Sequence, residues 1–398
     1  MVKRVVQFFC SLRLTVVLLT LAMFLVFFGT MAQVDLGLYQ AQTKYFRSFF
    51  VDWRPNGTDW SIPVYPGGYL IGGLLLTNLI AAHIKRFKFA WSKAGIFIIH
   101  AGIILLLGGQ LATDLLQVES GMHLTEGQTR NYSESPREDE IAIIDTSHPD
   151  YDQVLAVPTE VLTKQKEFRD PRLPFTISVQ RYFVNSGSVI PPTPTAPVLA
   201  TQGLGLRATV EAKAEVTDTD HRNIPSAVIE LKSGETSLGT WLVSEWYKSQ
   251  DLQVGTNNFK LAMRPVRYYT PFSLQLQKFR YDKYLGTEIP KNFSSQVRII
   301  NPATKEDREV RIYMNNPLRY AGATYYQSGF DQSDPKATIL QVVRNPGWLT
   351  PYFACLMVGG GMLWQFLSHL VRFLRKAKTN AKPALAAVSV SPARRRNQ

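Results

Sequence analysis

Four long apolar runs divide the sequence. They lie at about residues 14–32, 68–84, 94–112 and 346–370, and each is long enough for a helix to cross a hydrocarbon core of about 30 Å. The stretch between the third and fourth runs, residues 113–345, is polar and shows short apolar-polar alternation broken by turn residues, which is typical of β-strands. The pattern predicts an integral membrane protein with four transmembrane helices and one large, mainly β, sandwich-like domain.

Basic residues are concentrated in three short segments beside the apolar runs. Residues 1–13, 85–93 and 371–398 together hold fifteen Lys and Arg and no Asp or Glu. Basic loops stay on the cytoplasmic side of a membrane. We therefore expect a multi-pass membrane protein with both termini in the cytoplasm, residues 371–398 as a basic tail and the β domain extracytoplasmic. The net charge of +13 is a topology signal, so no nucleic-acid partner is expected.

A cleaved signal peptide is the alternative for the first run. The run follows Lys3, Arg4 and Arg13, as the apolar part of a signal peptide follows its basic start. However, it is long for such a region, and the sequence around Ala32 is a poor small-x-small cleavage site. We therefore expect a retained span.

The polar stretch contains an internal repeat. PFTISVQRY at 174–182 resembles PFSLQLQKF at 271–279, and each is followed by a strand-turn-strand pattern. The resemblance predicts two related β modules, at about 174–245 and 271–330, of which the first carries a proline-rich insertion; chance similarity is the alternative. The loop 33–67, rich in aromatic residues, is expected at the outer membrane interface.

One titratable residue lies within the third run, AGIFIIHAGIILLLGG. It is His100, and on a helix its face carries bulky apolar residues, while Gly95, Gly102 and Gly108 lie on the other side. Small residues let helices approach closely, so the glycine face is expected to pack on the glycines of the second or the fourth run. Ionisable residues in a membrane face a partner or a cavity, which predicts that a ligand or a second membrane protein covers His100.

Two further histidines, His83 and His369, close the second and fourth runs and are weaker candidates for the same site. An imidazole in apolar surroundings suits haem iron, and a proton relay is the alternative. A relay, like an ion-coupled transporter, usually shows carboxylates in its spans, and the four runs contain none. The two cysteines, Cys10 and Cys355, lie at different depths, so a disulfide framework and a thiol redox site in the β domain are excluded.

Several motifs resemble the ResB-like family of cytochrome c biogenesis, system II. They are SLRLTVVLL in the first run, the third run followed by LTEGQT, and three late stretches, PFSLQLQKFRYDKYLGTEIPKNFSSQVRI, YMNNPLRYAGATYYQSGF and RNPGW. Proteins of this family work with a membrane protein of the CcsA/ResC type to move haem b across the membrane and present it to apocytochrome c. The resemblance covers nearly the whole chain and is weakest at about 185–260.

The resemblance implies that the chain lies in the bacterial inner membrane and that His100 is an axial ligand of the haem iron. It also implies that the chain is non-catalytic alone and acts as one part of a holocytochrome c synthase complex. Packing is the expected role of the aromatic residues late in the β domain, and contact with apocytochrome c through Tyr325, Tyr326 and Gln327 is the alternative. The alternative for the whole chain is a membrane-anchored β scaffold for envelope protein assembly, without haem.

Overall fold

The computed structural model describes the chain as a helical unit and a β domain (Val118–Arg344). The described residues are 2–55, 60–86, 91–165, 167–194, 196–216, 221–286, 290–330 and 334–387. The helices are α1 (Val2–Phe9), α2 (Leu12–Ala41), α3 (Gly68–Arg86), α4 (Ala94–Leu116), α5 (Thr159–Lys164) and α6 (Thr350–Ala387). All but α5 and the segment Leu36–Tyr39 of α2 belong to the helical unit.

Four helices of the helical unit are long and apolar enough to cross a membrane. These candidate spans are Leu12–Phe46, Gly68–Lys85, Ala94–Leu116 and Thr350–Lys378. The segment expected as an aromatic loop contains the end of α2 and a hairpin of β1 (Phe50–Trp53) and β2 (Ile62–Pro66). Helix α6 continues through Ala387, so much of the segment expected as a tail is helical, and residues 388–398 lie outside the described residues.

The β domain is built from two antiparallel sheets. Its strands are β3 (Val118–Thr125), β4 (Thr129–Asp145), β5 (Gln153–Pro158), β6 (Thr176–Phe183), β7 (Ser226–Ser233), β8 (Thr236–Ser244), β9 (Gln250–Val254), β10 (Asn257–Lys283), β11 (Pro290–Asn301), β12 (Glu306–Tyr313), β13 (Leu318–Tyr320), β14 (Ala323–Phe330) and β15 (Ala337–Arg344). The larger sheet has the order β12-β11-β10-β4-β3-β15-β14-β13, with β5 added to β4 and β9 added to β10. The smaller sheet is β6-β7-β8.

The larger sheet curls until it is nearly closed. The Ser295 hydroxyl of β11 donates to Gln327 Oε1 of β14 at 2.6 Å and lies 3.0 Å from Thr338 Oγ1 of β15. These strands are far apart along the order of the sheet, so the hydrogen bonds join its two halves across the interior. Closure of this kind removes exposed sheet edges.

Prolines mark the place where the two longest strands bend. Pro265 of β10 lies opposite Asp139 of β4, but the next pair is Arg267 with Glu134, so the register shifts there and Pro136 of β4 falls in the skipped segment. Proline donates no ladder hydrogen bond and is found in sheets at bulges, which bend a strand. The bend lets β10 contribute to two separate cores.

Each half of β10 lies in its own hydrophobic core. The first core joins the small sheet to β4, β5 and the start of β10, and its most buried members include Ile141, Ile143, Ile177, Ile229, Leu231, Phe259 and Leu261. The second core fills the curled sheet and includes Met122, Leu124, Leu274, Leu276, Val297, Ile299, Ile312 and Tyr325. Strand residues therefore alternate between these cores and the surface. Four candidate membrane helices and a large, mainly β domain confirm the predicted fold class.

The two segments related by sequence have the same local topology. We call β6-β7-β8 the first meander, and β10 from Pro271 onward with β11 and β12 the second meander. In both, three antiparallel strands pair in chain order. Both first strands also have a bulge at the matching glutamine, Gln180 and Gln277. The shared bulge is a detail that strand alternation alone would not produce.

A cluster of buried charges links the two sheets of the β domain. Arg222, which precedes β7, donates to Asp139 of β4 at 2.7 Å and forms an ion pair of 3.0 Å with Glu245, which follows β8. Asp139 is only 7% exposed. Burial raises the pKa of Asp139 to about 6 and that of Glu245 to about 7, since the cost of desolvation outweighs the attraction to Arg222.

These raised pKa values predict how the stability of the β domain depends on pH. Between about pH 4 and pH 7 the folded domain binds protons that an unfolded chain, with ordinary carboxyl pKa values, has already released. This cluster therefore stabilises the fold most at the acidic end, and its contribution to the free energy of unfolding falls as pH rises. We expect the Asp139→Asn/Glu245→Gln double variant to lose this component when melting of the full chain is followed by tryptophan fluorescence.

The variant removes only these two titrations. As pH rises from about 5 to about 8, the melting temperature of the wild type should therefore fall relative to that of the variant. A difference that stays constant, or that changes in favour of the wild type, would contradict the assignment.

Candidate functional site

The glycine face of α4 packs on α6 through Gly95, Gly102 and Gly109, whereas Gly108, which was expected on the same face, has no such neighbour within 4 Å. A side-chain carbon added at Gly102 would lie 2.9 Å from Val358 Cγ2 and 3.0 Å from the Ala354 carbonyl oxygen. One added at Gly95 would lie 2.6 Å from the Gly361 carbonyl oxygen. The backbones therefore approach too closely for any larger residue at these positions. Of the two neighbours considered from the sequence, the fourth run is the one that contacts this face.

His100 points away from α6 towards α3. Its ring centre lies 5.1 Å from that of His83, and the two rings are nearly perpendicular, at 88°. The His83 ring also lies 5.1 Å from the ring of Phe97, one turn before His100. Both histidines are half-buried, while Phe97 is 40% exposed. The structure thus brings two of the three candidate histidines together within an apolar surface.

His369 is in a different setting. It is exposed near the end of the apolar part of α6, and its Nε2 lies 2.8 Å from the side-chain amide nitrogen of Gln365. One helical turn separates these residues, so the hydrogen bond lies along the surface of α6. Within the described part of the chain, no group of three or more His, Cys, Asp or Glu is arranged to hold a metal ion.

A buried amide orients the helix that carries His83. Asn78 of α3 is 3% exposed. Its side-chain nitrogen donates to the carbonyl oxygens of Phe9 at 2.6 Å and Ser11 at 3.2 Å, and its oxygen accepts from the Thr15 hydroxyl at 2.6 Å. These bonds satisfy backbone groups at the break between α1 and α2. They also connect α3 to α2 five residues before His83.

A second polar cluster, which the sequence analysis did not predict, joins the start of α3 to the end of α4, away from the two histidines. Asp114, in the last turn of α4, accepts a hydrogen bond from the Tyr69 hydroxyl at the start of α3 and forms an ion pair of 2.9 Å with Arg47. Asp114 is the only charged residue of α4. A lone carboxylate at the end of an apolar helix needs a partner. The position of Asp114 in the sequence could therefore have predicted a polar contact here.

The three candidate contact residues of the β domain have different surroundings. Tyr325 is fully buried in the second core, so it is not accessible to a partner. The Gln327 amide nitrogen donates to Thr338 Oγ1 at 2.8 Å and to the Gly329 carbonyl oxygen at 3.1 Å, inside the curled sheet. Tyr326 lies between them on the other face of β14 and is 38% exposed. Of the three, Tyr326 is the residue that can meet another protein.

The helices and the β domain together define a multi-pass membrane protein with a large β domain. Residues 237–347 match the model of the ResB-like family. Over 306 residues the chain is 27% identical to Protein NrfI of Wolinella succinogenes, a match that covers 76% of this chain and 30% of that protein. The chain therefore spans less than a third of the length of that relative. The family match confirms the resemblance to the ResB-like family that the sequence motifs predict.

The close contact between α4 and α6 predicts unequal effects of two glycine substitutions. Gly102→Val should destabilise the helical unit by about 1–3 kcal/mol, because the added methyl groups meet Val358 and the Ala354 carbonyl. Gly108→Val is the matched control: it makes the same change in the same helix, but no atom lies within 4 Å of the added carbon. Thermal unfolding in detergent, measured by circular dichroism, compares the two. Equal losses would contradict the contact.

Proposed function

We propose that this chain takes part in cytochrome c biogenesis. It takes up haem b at His100 and delivers it across the membrane for attachment to apocytochrome c, together with a CcsA/ResC-type membrane protein. The ResB-like match supports the pathway. The observation that carries the proposal is a half-buried imidazole held within the apolar surface of α4 and against a second imidazole.

The surroundings of His100 suit a porphyrin. An imidazole nitrogen binds haem iron, and the porphyrin faces bury against apolar side chains. On the same face of α4, Phe97, Leu107 and Leu111 are 40%, 36% and 44% exposed. They provide apolar surface for a ligand or for a neighbouring helix. Haem is the cargo in this proposal, so each residue needs to hold it and later release it.

As packed, the two histidines can supply one axial ligand to a haem iron but not both. With iron-nitrogen bonds of about 2 Å, an iron between two imidazoles places the ring centres more than about 6 Å apart. The rings of His83 and His100 are closer, at 5.1 Å, and perpendicular. A single porphyrin therefore does not fit between them as they are packed. His100 is the stronger ligand candidate, and His83 holds its ring in place.

The distribution of charge supports an orientation. The basic segments before α2, between α3 and α4, and after the fourth span contain no acidic residue, so they belong in the cytoplasm and the β domain belongs outside the inner membrane. His100 follows the start of α4 by six residues, about 9 Å along the helix. In this orientation His100 would lie in the cytoplasmic half of the membrane, which suits uptake of haem from the cytoplasm.

The chain has no thiol in its β domain, because its two cysteines, Cys10 and Cys355, lie in the helical unit. It therefore has no group there that could reduce an apocytochrome. We assign no bond-making step to this chain alone. Its part is to hold and orient haem and to present an extracytoplasmic surface to the partner or to apocytochrome c.

Substitution of His100 tests the proposal directly. The chain, purified with its CcsA/ResC-type partner, should show a Soret band, and His100→Gly should lose most of it at equal protein abundance, because the iron loses its nitrogen ligand. Added imidazole should restore the band in His100→Gly. His83→Ala should weaken the band, since the His100 ring loses its neighbour.

His369→Ala is the matched control, because His369 is exposed and, among the described residues, its side chain bonds to Gln365 of its own helix. Its spectrum should match that of the wild type. Retention of the full band in His100→Gly would reject His100 as the ligand. A complex without haem in any variant or in the wild type would favour the scaffold function instead.

Two adjacent residues of β14 separate a contact role from a packing role. Gln327→Ala should lower the free energy of unfolding by about 1–3 kcal/mol, because the hydroxyls of Ser295 and Thr338 each lose one hydrogen bond. Tyr326→Ala should leave the melting temperature unchanged but lower the yield of holocytochrome c in cells. A lower abundance of the Tyr326→Ala protein, or an unchanged cytochrome yield, would remove Tyr326 from the contact surface.

A further inference from the structure

A basic cavity lies on the outer face of the second meander. Its volume is about 380 Å³, and it lies over strands β10, β11 and β12. Seven residues line it: Gln277, Lys278, Arg280, Ser294, Gln296, Glu309 and Arg311. All seven are polar, and three are cations. The cavity is part of the β domain alone and contains none of the histidines discussed above.

The strand register places the three cations on one face of the sheet, with β11 between Lys278 and Arg311. Lys278 lies opposite Gln296, which in turn lies opposite Arg311. Arg280 occupies the adjacent row, opposite Ser294. Cross-strand neighbours on one face of a sheet are about 5 Å apart. The cationic groups therefore share one surface of the size of a small molecule.

The cations are not neutralised within the chain. Among the residues that the structure describes, Lys278, Arg280 and Arg311 form no ion pair, and Arg311 donates only to the Ser294 hydroxyl, at 3.2 Å. The single carboxylate of the cavity, Glu309, accepts hydrogen bonds from the amides of Gln277 and Gln296 at 2.7 and 3.2 Å. Three positive charges and one negative charge leave an excess of two.

In the first meander, the corresponding face is covered by another part of the chain. Arg280 and Arg311 of the second meander correspond in register to Phe183 and Leu242 of the first. In the first meander these positions are apolar and buried, at 6% and 0% exposed. The insertion between β6 and β7 covers them and packs Ala200 onto this surface.

The two copies of the face thus differ in chemistry and in covering. At these two positions the first meander is apolar and covered by the chain itself, whereas the second meander is cationic and open. Arginine side chains present paired donors that match a carboxylate. An uncovered cluster of this kind raises the free energy of the isolated chain through mutual repulsion, and an anion relieves it.

We propose that the cavity of the second meander is an anion site for a small molecule that bears two carboxylates. Lys278, Arg280 and Arg311 bind the carboxylates, and Ser294 donates alongside them. Two carboxylates balance the excess charge of the cavity. If the proposed function holds, the propionate pair of haem is one source of this chemistry, and the site then contacts the cargo at its propionate edge. A dissolved dicarboxylate is the other source.

An iron-free porphyrin tests the site independently of His100, because it has no metal for an imidazole to bind. The full chain in detergent is titrated with deuteroporphyrin IX or with its dimethyl ester, and binding is followed by fluorescence. Empty micelles give the baseline. The free acid should bind, and the affinity of the ester should be lower by about tenfold or more. This is the loss expected when a charge-assisted hydrogen bond is removed. Glutarate should compete with the free acid.

Two variants connect the binding to the cavity. Lys278→Gln and Arg311→Gln should each weaken binding about tenfold while the circular dichroism spectrum is unchanged. Arg181→Gln is the matched control, since Arg181 corresponds to Lys278 in the first meander, and it should bind as the wild type does. Glutarate binding without porphyrin binding would keep the anion site and reject haem as its source.

Equal binding of the ester and the free acid would overturn the proposal. Unchanged binding of the free acid in both Lys278→Gln and Arg311→Gln would also overturn it. So would the absence of binding of both the free acid and glutarate. None of these results depends on the haem spectrum of the complex. Failure of the anion site can therefore be distinguished from failure of haem uptake at His100.

Discussion

The close packing of α4 on α6 is the constraint on which the candidate site depends. Helical geometry places Gly102 and Gly109 about 180–200° around α4 from His100. Once the glycine face is buried on α6, the rotation of α4 is fixed and the imidazole has to point the other way. The direction of His100 thus follows from residues that it does not touch. This is why a substitution at Gly102 would affect the site without changing any ligand atom.

The same logic of fixed rotation applies to α3. Asn78 holds α3 against the break between α1 and α2, and the cluster of Asp114, Tyr69 and Arg47 ties its start to the end of α4. With both ends of the helix pair held by polar contacts, His83 meets His100 at the other end of α4. Hydrogen bonds are useful for this purpose in an apolar setting, because an unsatisfied polar group there is costly.

The sequence predicted those features that depend on local pattern. Apolar runs located the four spans, and alternation located β6, β7, β11 and β12. The glycine periodicity of α4 predicted a packed face, but the choice of α6 over α3 depended on the fit between specific backbones. The contact of His83 with His100 was not predicted, because it requires the rotation of two helices at once. Likewise, the pattern of β14 could not show that Tyr325 faces the core while Tyr326 is exposed, since the register of a strand depends on its neighbours.

The contact between the two histidines also bears on the role of the second membrane protein in the proposed function. As packed, the pair offers haem one nitrogen ligand, because the rings are too close and too nearly perpendicular to enclose a porphyrin. An iron with two axial ligands would then take its second from outside this pair. His369 lies on the surface of α6, while α6 packs on the opposite, glycine face of α4, so it does not complete the site. In the proposed function the CcsA/ResC-type partner is the candidate source of that second ligand, which would explain why two membrane proteins act together.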